Sequence, residues 1–175
     1  MVLVAAGAAH WLETRPYSDH TARIPVVVLA PLLASAAIGT SLHADSDELD
    51  RTAVRRWWPR RLLALTVLTT VALALAVPGH PEAFGGPAMV RNVLGATGVA
   101  VASAALIGAR LSWLPMTVYG GAVHLAAPRT HGGAAAVWAW PMQPGSQAGA
   151  WAVALTAYAV GAVLLAVRGA RPEGA

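Results

Sequence analysis

Two amino acids are absent from this chain of 175 residues, which contains neither cysteine nor lysine. Without cysteine there can be no disulfide, thiolate metal site, iron–sulfur cluster or cysteine nucleophile. Without lysine the chain cannot form a Walker A loop, whose lysine contacts the nucleotide phosphates, and it cannot form a Schiff base. If ATP drives this protein, another polypeptide must therefore hydrolyse the nucleotide.

Charged side chains are also scarce. Only 11% of the residues are charged, whereas 57% are hydrophobic and the mean hydropathy is +0.56. The charges are clustered, which leaves long stretches with none. A soluble domain of this size could not cover so much apolar surface with so few charges. We therefore expect a multi-pass protein of the cell (inner or plasma) membrane, in contact with the lipid bilayer.

The apolar residues are arranged in continuous runs. Five long runs are present, at residues 24–44, 62–77, 92–109, 111–127 and 150–167. At ~1.5 Å per residue, each helix reaches or nearly reaches across a hydrocarbon core of roughly 30 Å. A further run ends before Glu13 and is too short, so we expect a short or truncated first span. The runs predict an all-α fold, a polytopic transmembrane helical bundle of about six spans forming a single domain over residues 1–175.

Arginine is distributed unevenly between the two sides that alternating spans define. If residues 45–61 are cytoplasmic, eight arginines lie inside and four outside, as the positive-inside rule requires. The inside set is Arg51, Arg55, Arg56, Arg60, Arg61, Arg110, Arg168 and Arg171, and the outside set is Arg15, Arg23, Arg91 and Arg129. With six spans, both termini are then cytoplasmic.

Residues 45–61 predict a short amphipathic helix in a cytoplasmic loop. Asp47 and Arg51 are four residues apart and can pair on one face, and Pro59 is expected to end the helix. An apolar strip lies beside that face, formed by Leu49, Ala53 and Trp57. Such a helix suits either a membrane surface or a groove on a soluble partner.

The basic end of this stretch has a simpler interpretation. Arg60 and Arg61 directly precede an apolar run, where arginine fixes topology and extends its charge to the headgroups. Because a basic patch beside a membrane needs no DNA or RNA to explain it, we expect no nucleic-acid partner.

The arrangement of runs and loops resembles the permease subunit of a type-2 ATP-binding-cassette exporter. In that family the loop between spans two and three carries a coupling helix that binds a cleft of the ATPase subunit. A hydrophobic, partly re-entrant segment precedes the last span, and residues 134–144 occupy that place within the outer loop 128–149. The interfacial helix that family members carry before span one is missing here, in line with a truncated start.

This resemblance implies a membrane-spanning component of an ATP-driven export system. It implies ATP hydrolysis on a separate subunit and a homo- or heterodimer of membrane subunits. The residues it assigns to the ATPase-coupling helix are Asp47, Glu48, Arg51, Arg55 and Trp57. The heavy use of Ala, Arg, Gly and Pro without Lys also resembles the composition of proteins from high-GC bacteria such as actinomycetes.

Two other functions remain open on the residues alone. One is a non-transporting helical membrane subunit of a larger complex. The other is an outward-facing metal or haem membrane protein, which depends on the outer histidines and carboxylates. These are His10, His20, His80, His124, His131, Glu13, Asp19 and Glu82. No histidine pair has ligand spacing on one helix, so we expect no metal site and no cofactor.

The sequence shows no arrangement of catalytic residues. No Ser or Thr is flanked as in a nucleophile elbow, and no paired carboxylates lie in an apolar run. No Asp, Glu or Arg is expected in mid-membrane, so the usual proton-relay residues are missing. We expect that the chain is not an enzyme by itself. Trp138, Trp140 and Trp151 are expected in an outer aromatic belt.

Overall fold

A computed structural model describes residues 24–41, 58–76, 86–126 and 131–169. These ranges are helical with short connections, and no strand occurs within them. The helices are α1 (Ile24–Ser41), α2 (Trp58–Ala76), α3 (Gly86–Ile107), α4 (Leu114–Ala126), α5 (Ala135–Trp138) and α6 (Ala148–Arg168). Two 3₁₀ turns, Ala109–Leu111 and Trp140–Met142, precede α4 and follow α5.

Two of these helices are long and apolar enough to cross a membrane. They are α3, with 22 residues, and α6, with 21 residues. Within the protein, 67% of the most apolar stretch of α3 is buried, against 22% of that of α6. The central helix of the bundle is therefore α3, and α6 presents much of its surface outward.

Small residues allow α3 and α6 to pack closely along their length. A side chain on Gly98 would overlap the backbone of Ala157 and Tyr158, and one on Gly161 would overlap the carbonyl of Gly98. Arg91, near the start of α3, contacts the chain just before α6 begins. The two helices therefore run parallel, and their backbones approach as closely as small residues permit.

The other long helices are placed by equally specific contacts. The hydroxyl of Tyr158 donates to Thr69 of α2 at 3.3 Å, and the Arg61 guanidinium occupies the space beside Gly169, where α6 ends. Because α2 begins where α6 ends, these two helices are antiparallel. A side chain on Gly39, near the end of α1, would overlap Ser112, just after α3, which makes α1 roughly parallel to α3.

These directions give the bundle two distinct ends. The arginine-rich end contains the ends of α1, α3 and α6 and the start of α2. It holds four of the five arginines in the described ranges, namely Arg60, Arg61, Arg110 and Arg168. The opposite end, here called the insertion end, contains the starts of α3 and α6 and residues 131–147, with Arg91 alone.

The interior is built from small side chains and the exterior from large ones. Most of the buried apolar residues are alanines, whereas many leucines and valines face outward. On α2, for example, Leu63, Val67 and Val71 are exposed at a spacing of four, while Thr69 and Ala72 are buried. Close packing through small residues with large apolar side chains outside is typical of helices that associate in a lipid bilayer.

The described residues agree with the expected helical class and with the presence of membrane-spanning helices. The all-helical class is confirmed for these ranges, and two helices have the length and apolarity of spans. Six spans and cytoplasmic termini stay predictions, since the short first run and both termini lie outside the described residues. The helix that Pro59 was expected to end lies outside the described residues, and Pro59 itself lies in the first turn of α2. A proline is tolerated there because the first-turn N–H groups have no partner in the helix.

Candidate functional site: an inserted segment and the arginine that holds it

The residues assigned to the coupling helix lie outside the described part of the chain. They are Asp47, Glu48, Arg51, Arg55 and Trp57. Of the stretch 45–61, only residues 58–61 are described, as the start of α2. The site that the structure does describe is at the other end of the bundle.

Residues 131–147, called here the inserted segment, form a folded unit at the insertion end. Gly132 and Gly133 both have positive φ, 85° and 55°, so the chain turns there in a conformation that suits glycine. The short helix α5 follows, and then a 3₁₀ turn with Pro141 near its start. The Gln143 side chain accepts a hydrogen bond from the Gly132 N–H at 3.0 Å, which joins the two ends of the segment.

Trp140 carries the inserted segment into the bundle. Its ring packs on Gly95, where any side chain would overlap it. It belongs to a buried cluster with Ala96, Met116 and Ala154, and is only 3% exposed. Gly95 lies nine residues into α3, which is roughly 14 Å along the helix. The expectation that Trp140 lies in an outer aromatic belt is therefore wrong, although Trp138 is exposed at this end.

Arg91 is the central polar contact of the inserted segment. It is fully buried, and its two terminal nitrogens donate to the carbonyl of Pro144 at 2.8 Å and that of Gln143 at 2.7 Å. The Nε and one terminal nitrogen also donate to the side-chain oxygen of Asn92, at 3.2 and 3.1 Å. Arg91 thereby ties the second turn of α3 to the chain just before α6.

Asn92 extends this contact by one residue. It is also buried, and its side-chain nitrogen donates to the carbonyl of Pro141 at 2.7 Å. Its oxygen accepts from Arg91, so the two side chains orient one another. We call Arg91 and Asn92 together the clasp. The clasp supplies donors to three main-chain carbonyls, those of Pro141, Gln143 and Pro144, of which the last also accepts from the Gln147 N–H at 3.3 Å.

Two further side chains fasten the inserted segment to its neighbours. The Tyr119 hydroxyl of α4 donates to the carbonyl of Trp138. The indole N–H of Trp151, on α6, donates to the carbonyl of Gly145 at 2.8 Å. Helices α3, α4 and α6 thus all contribute side-chain donors to main-chain carbonyls of one segment.

The electrostatic setting of Arg91 is unusual. The described ranges contain no Asp or Glu, so every oxygen bound to Arg91 within them belongs to a neutral group. Taking a guanidinium out of water costs on the order of several kcal/mol, which neutral acceptors offset only in part. A buried arginine of this kind is expected to have a specific function.

The arginines at the opposite end have different surroundings. Arg60, Arg110 and Arg168 are exposed, and Arg61 is half-buried beside Gly169. At that position Arg61 lies at the carboxyl end of α6, where a cation interacts favourably with the helix dipole. Their role as topology signals stays a prediction.

The histidines form no metal centre in the part of the chain that is described. No group of three His, Cys, Asp or Glu residues with suitable positions occurs there. His124 and His131 are both exposed. The other outer histidines and carboxylates named in the metal interpretation lie outside these ranges.

Sequence reasoning missed the clasp because it treated Arg91 as a loop residue at the edge of a span. The structure begins α3 at Gly86, and Arg91 lies in its second turn. The apolar residues Ala88, Met89 and Val90 before it were the available signal. With these three residues, the apolar run 92–109 can be extended toward the N-terminus past Arg91, which places the arginine inside the helix.

No family model matches the chain, and no curated protein or solved structure is significantly similar to it.

Proposed function

We propose that this protein is a membrane-spanning permease component of an ATP-driven export system, with ATP hydrolysis on a separate subunit. The inserted segment carries this proposal. In the exporter family that the chain resembles, a hydrophobic, partly re-entrant segment precedes the last span. Residues 131–147 fold back against α3 immediately before α6, the last helix described.

The arrangement of the helices supports a membrane location. Because α3 and α6 run parallel, the chain must return between them, and α4 and the inserted segment provide that return. The arginines gather at one end, as expected for the cytoplasmic side. The insertion end then faces outward, where an exporter releases its cargo.

The sequence supplies the remaining support. An exporter without a phosphate-binding lysine must take its energy from another subunit, and this chain has no lysine. Residues 58–61, the end of the stretch predicted to carry the coupling helix, form the start of α2 on the arginine-rich side. A coupling helix has to be on that side to reach a cytoplasmic ATPase.

The test is ATPase co-purification and export with variants of the predicted coupling helix. The Asp47→Ala/Glu48→Ala double variant should lose the ATPase subunit and export without lowering the amount of protein in the membrane. An exposed i, i+4 charge pair contributes only a few tenths of a kcal/mol, roughly, to a helix. A pair buried at a subunit interface can cost about 2–5 kcal/mol when truncated, so only an interface role predicts a large effect.

The matched comparison is Arg60→Ala/Arg61→Ala, in the first turn of α2. These substitutions should lower membrane insertion, because the residues belong to the topology signal. Each variant is purified from its native host, where the ATPase subunit is also made, and the co-purifying subunits are identified by mass spectrometry. If the acidic double variant keeps full ATPase binding and export at matched abundance, the exporter proposal fails at its coupling step. A non-transporting membrane subunit then becomes the better account.

A further inference from the structure

The two terminal nitrogens of Arg91 each donate to a separate oxygen, as in the bidentate binding of an oxyanion by arginine. One donates to the Pro144 carbonyl and the other to the Gln143 carbonyl, at 2.8 and 2.7 Å. A carboxylate or phosphate bound in the forked mode also places one oxygen on each terminal nitrogen. In this structure two consecutive main-chain carbonyls of the inserted segment supply those oxygens.

An oxyanion would be a better partner than these carbonyls. The guanidinium is an ionised donor in either case, but an oxyanion also carries the opposite charge and binds both terminal nitrogens in the bidentate geometry that arginine favours. Arg91 has only neutral acceptors within the described ranges, so its positive charge is not balanced there. An anion reaching the guanidinium would supply both the oxygens and the missing charge.

The position of Arg91 brings it near the depth of lipid headgroups. It is five residues beyond Gly86, or roughly 8 Å along α3 from the helix start at the insertion end. The exposed Trp138 lies at the same end, and tryptophan prefers the membrane interface. The inserted segment covers Arg91 from this side, so an anion can reach it only when that segment moves.

We propose that Arg91 is the binding group of an oxyanion site that the inserted segment closes, with the carbonyls of Gln143 and Pro144 in the positions of the oxyanion oxygens. The ligand is a phosphate-type oxyanion, either free or in an anionic lipid headgroup. Binding displaces the two carbonyls and shifts the segment toward an open state. This inference goes beyond the exporter proposal and does not depend on an ATPase.

The test measures how fast a buried cysteine in the inserted segment reacts with a membrane-impermeant maleimide. The chain has no native cysteine, so Ala139→Cys places a single thiol at a position that is fully buried. The protein is reconstituted in phosphatidylcholine nanodiscs. Labelling is compared in chloride, in inorganic phosphate at the same ionic strength, and in nanodiscs containing phosphatidylglycerol. The proposal predicts an increase of about tenfold with phosphate, phosphatidylglycerol or both, because the charged ligand outcompetes neutral carbonyls.

Three variants make the result specific. With Arg91→Gln, labelling should be fast without any anion and should not respond to one. Arg168→Gln removes an exposed arginine from the opposite end and should leave the anion response unchanged. Glu82→Gln should also leave it unchanged, which excludes a carboxylate of the chain as the natural occupant. A thiol at the exposed Ala134 controls for effects of the anions on maleimide itself.

Each outcome has a defined meaning. A response to inorganic phosphate supports a free oxyanion, and a response to phosphatidylglycerol alone supports a lipid headgroup. If neither anion accelerates labelling while Arg91→Gln does, Arg91 is only a structural contact and the proposal is overturned. If Arg91→Gln leaves the thiol protected, the closing role itself is overturned. Should Arg91→Gln fail to fold, Arg91→Lys keeps the charge without the fork and should show a reduced anion response.

Discussion

The two ends of the bundle use arginine in opposite ways. At the arginine-rich end, Arg60, Arg110 and Arg168 are exposed, and water or headgroups can surround their charges. At the insertion end, Arg91 is buried and donates hydrogen bonds to Asn92 and to two main-chain carbonyls. The same side chain is therefore exposed at one end and holds a specific structure at the other.

The comparison shows that position along a helix, more than residue type, decides what an arginine does. A guanidinium that is exposed at a helix end keeps its hydration, so its contribution to stability is small. A guanidinium in the second turn of a central helix loses that hydration, so it must be hydrogen-bonded to well-placed acceptors. We therefore expect mutations at the two ends to differ sharply in effect.

The largest difference is expected between Arg91→Ala and Arg168→Ala. Removing Arg91 leaves the carbonyl of Gln143 without its donor and takes one of two donors from the carbonyl of Pro144. The change should lower the unfolding free energy by about 3–5 kcal/mol. Arg168 is exposed at the end of α6, and its removal should change that energy by less than about 0.5 kcal/mol. Unfolding by denaturing detergent in mixed micelles measures both. Equal effects would remove the distinction between the ends.

A smaller effect is expected where Trp140 packs on α3. Gly95→Ala places a methyl group in the space of the Trp140 ring and should cost about 1–3 kcal/mol, because the segment must shift. Gly121, on α4, has open space beside it, so Gly121→Ala should instead stabilise the protein by about 0.5–1 kcal/mol through helix propensity. The same detergent titration compares them. A neutral Gly95→Ala would show that Trp140 is not held in the bundle.

The smallest effect of the clasp is expected at Asn92. Asn92→Ala removes the donor to the Pro141 carbonyl and one acceptor of Arg91, which should cost about 1–2 kcal/mol. Thr117→Ala is a matched control. The Thr117 hydroxyl is exposed and donates to the carbonyl of Trp113, four residues earlier in the chain, so its loss should be near neutral. If the two variants unfold alike, Asn92 contributes nothing beyond an ordinary helix position.

The helices themselves were largely predictable from the sequence. The run 150–167 and the helix Ala148–Arg168 nearly coincide, because both are limited by charge and by a glycine that ends the helix. The run 111–127 begins too early by three residues. Pro115 favours the first turn of a helix, and the chain before it forms a 3₁₀ turn followed by a hydrogen-bonded turn.

The site was not predictable in the same way. The place of residues 134–144 before the last run suggested a segment that returns toward the membrane, but nothing in the pattern paired it with Arg91. The clasp residues and the main-chain carbonyls that they contact are 49 to 53 residues apart. Main-chain carbonyls are the same in every residue type, so a sequence carries no direct sign of such contacts.

The most direct test of the account asks whether the two ends lie on opposite sides of a membrane. Ser146 in the inserted segment and Ser41 at the end of α1 are both exposed, and replacing either by cysteine changes little in size. In intact cells, an impermeant maleimide should label Ser146→Cys at once, and Ser41→Cys only after the membrane is permeabilised. Labelling of both from the same side, or of Ser41→Cys alone, would contradict the proposed orientation and the exporter mechanism that depends on it.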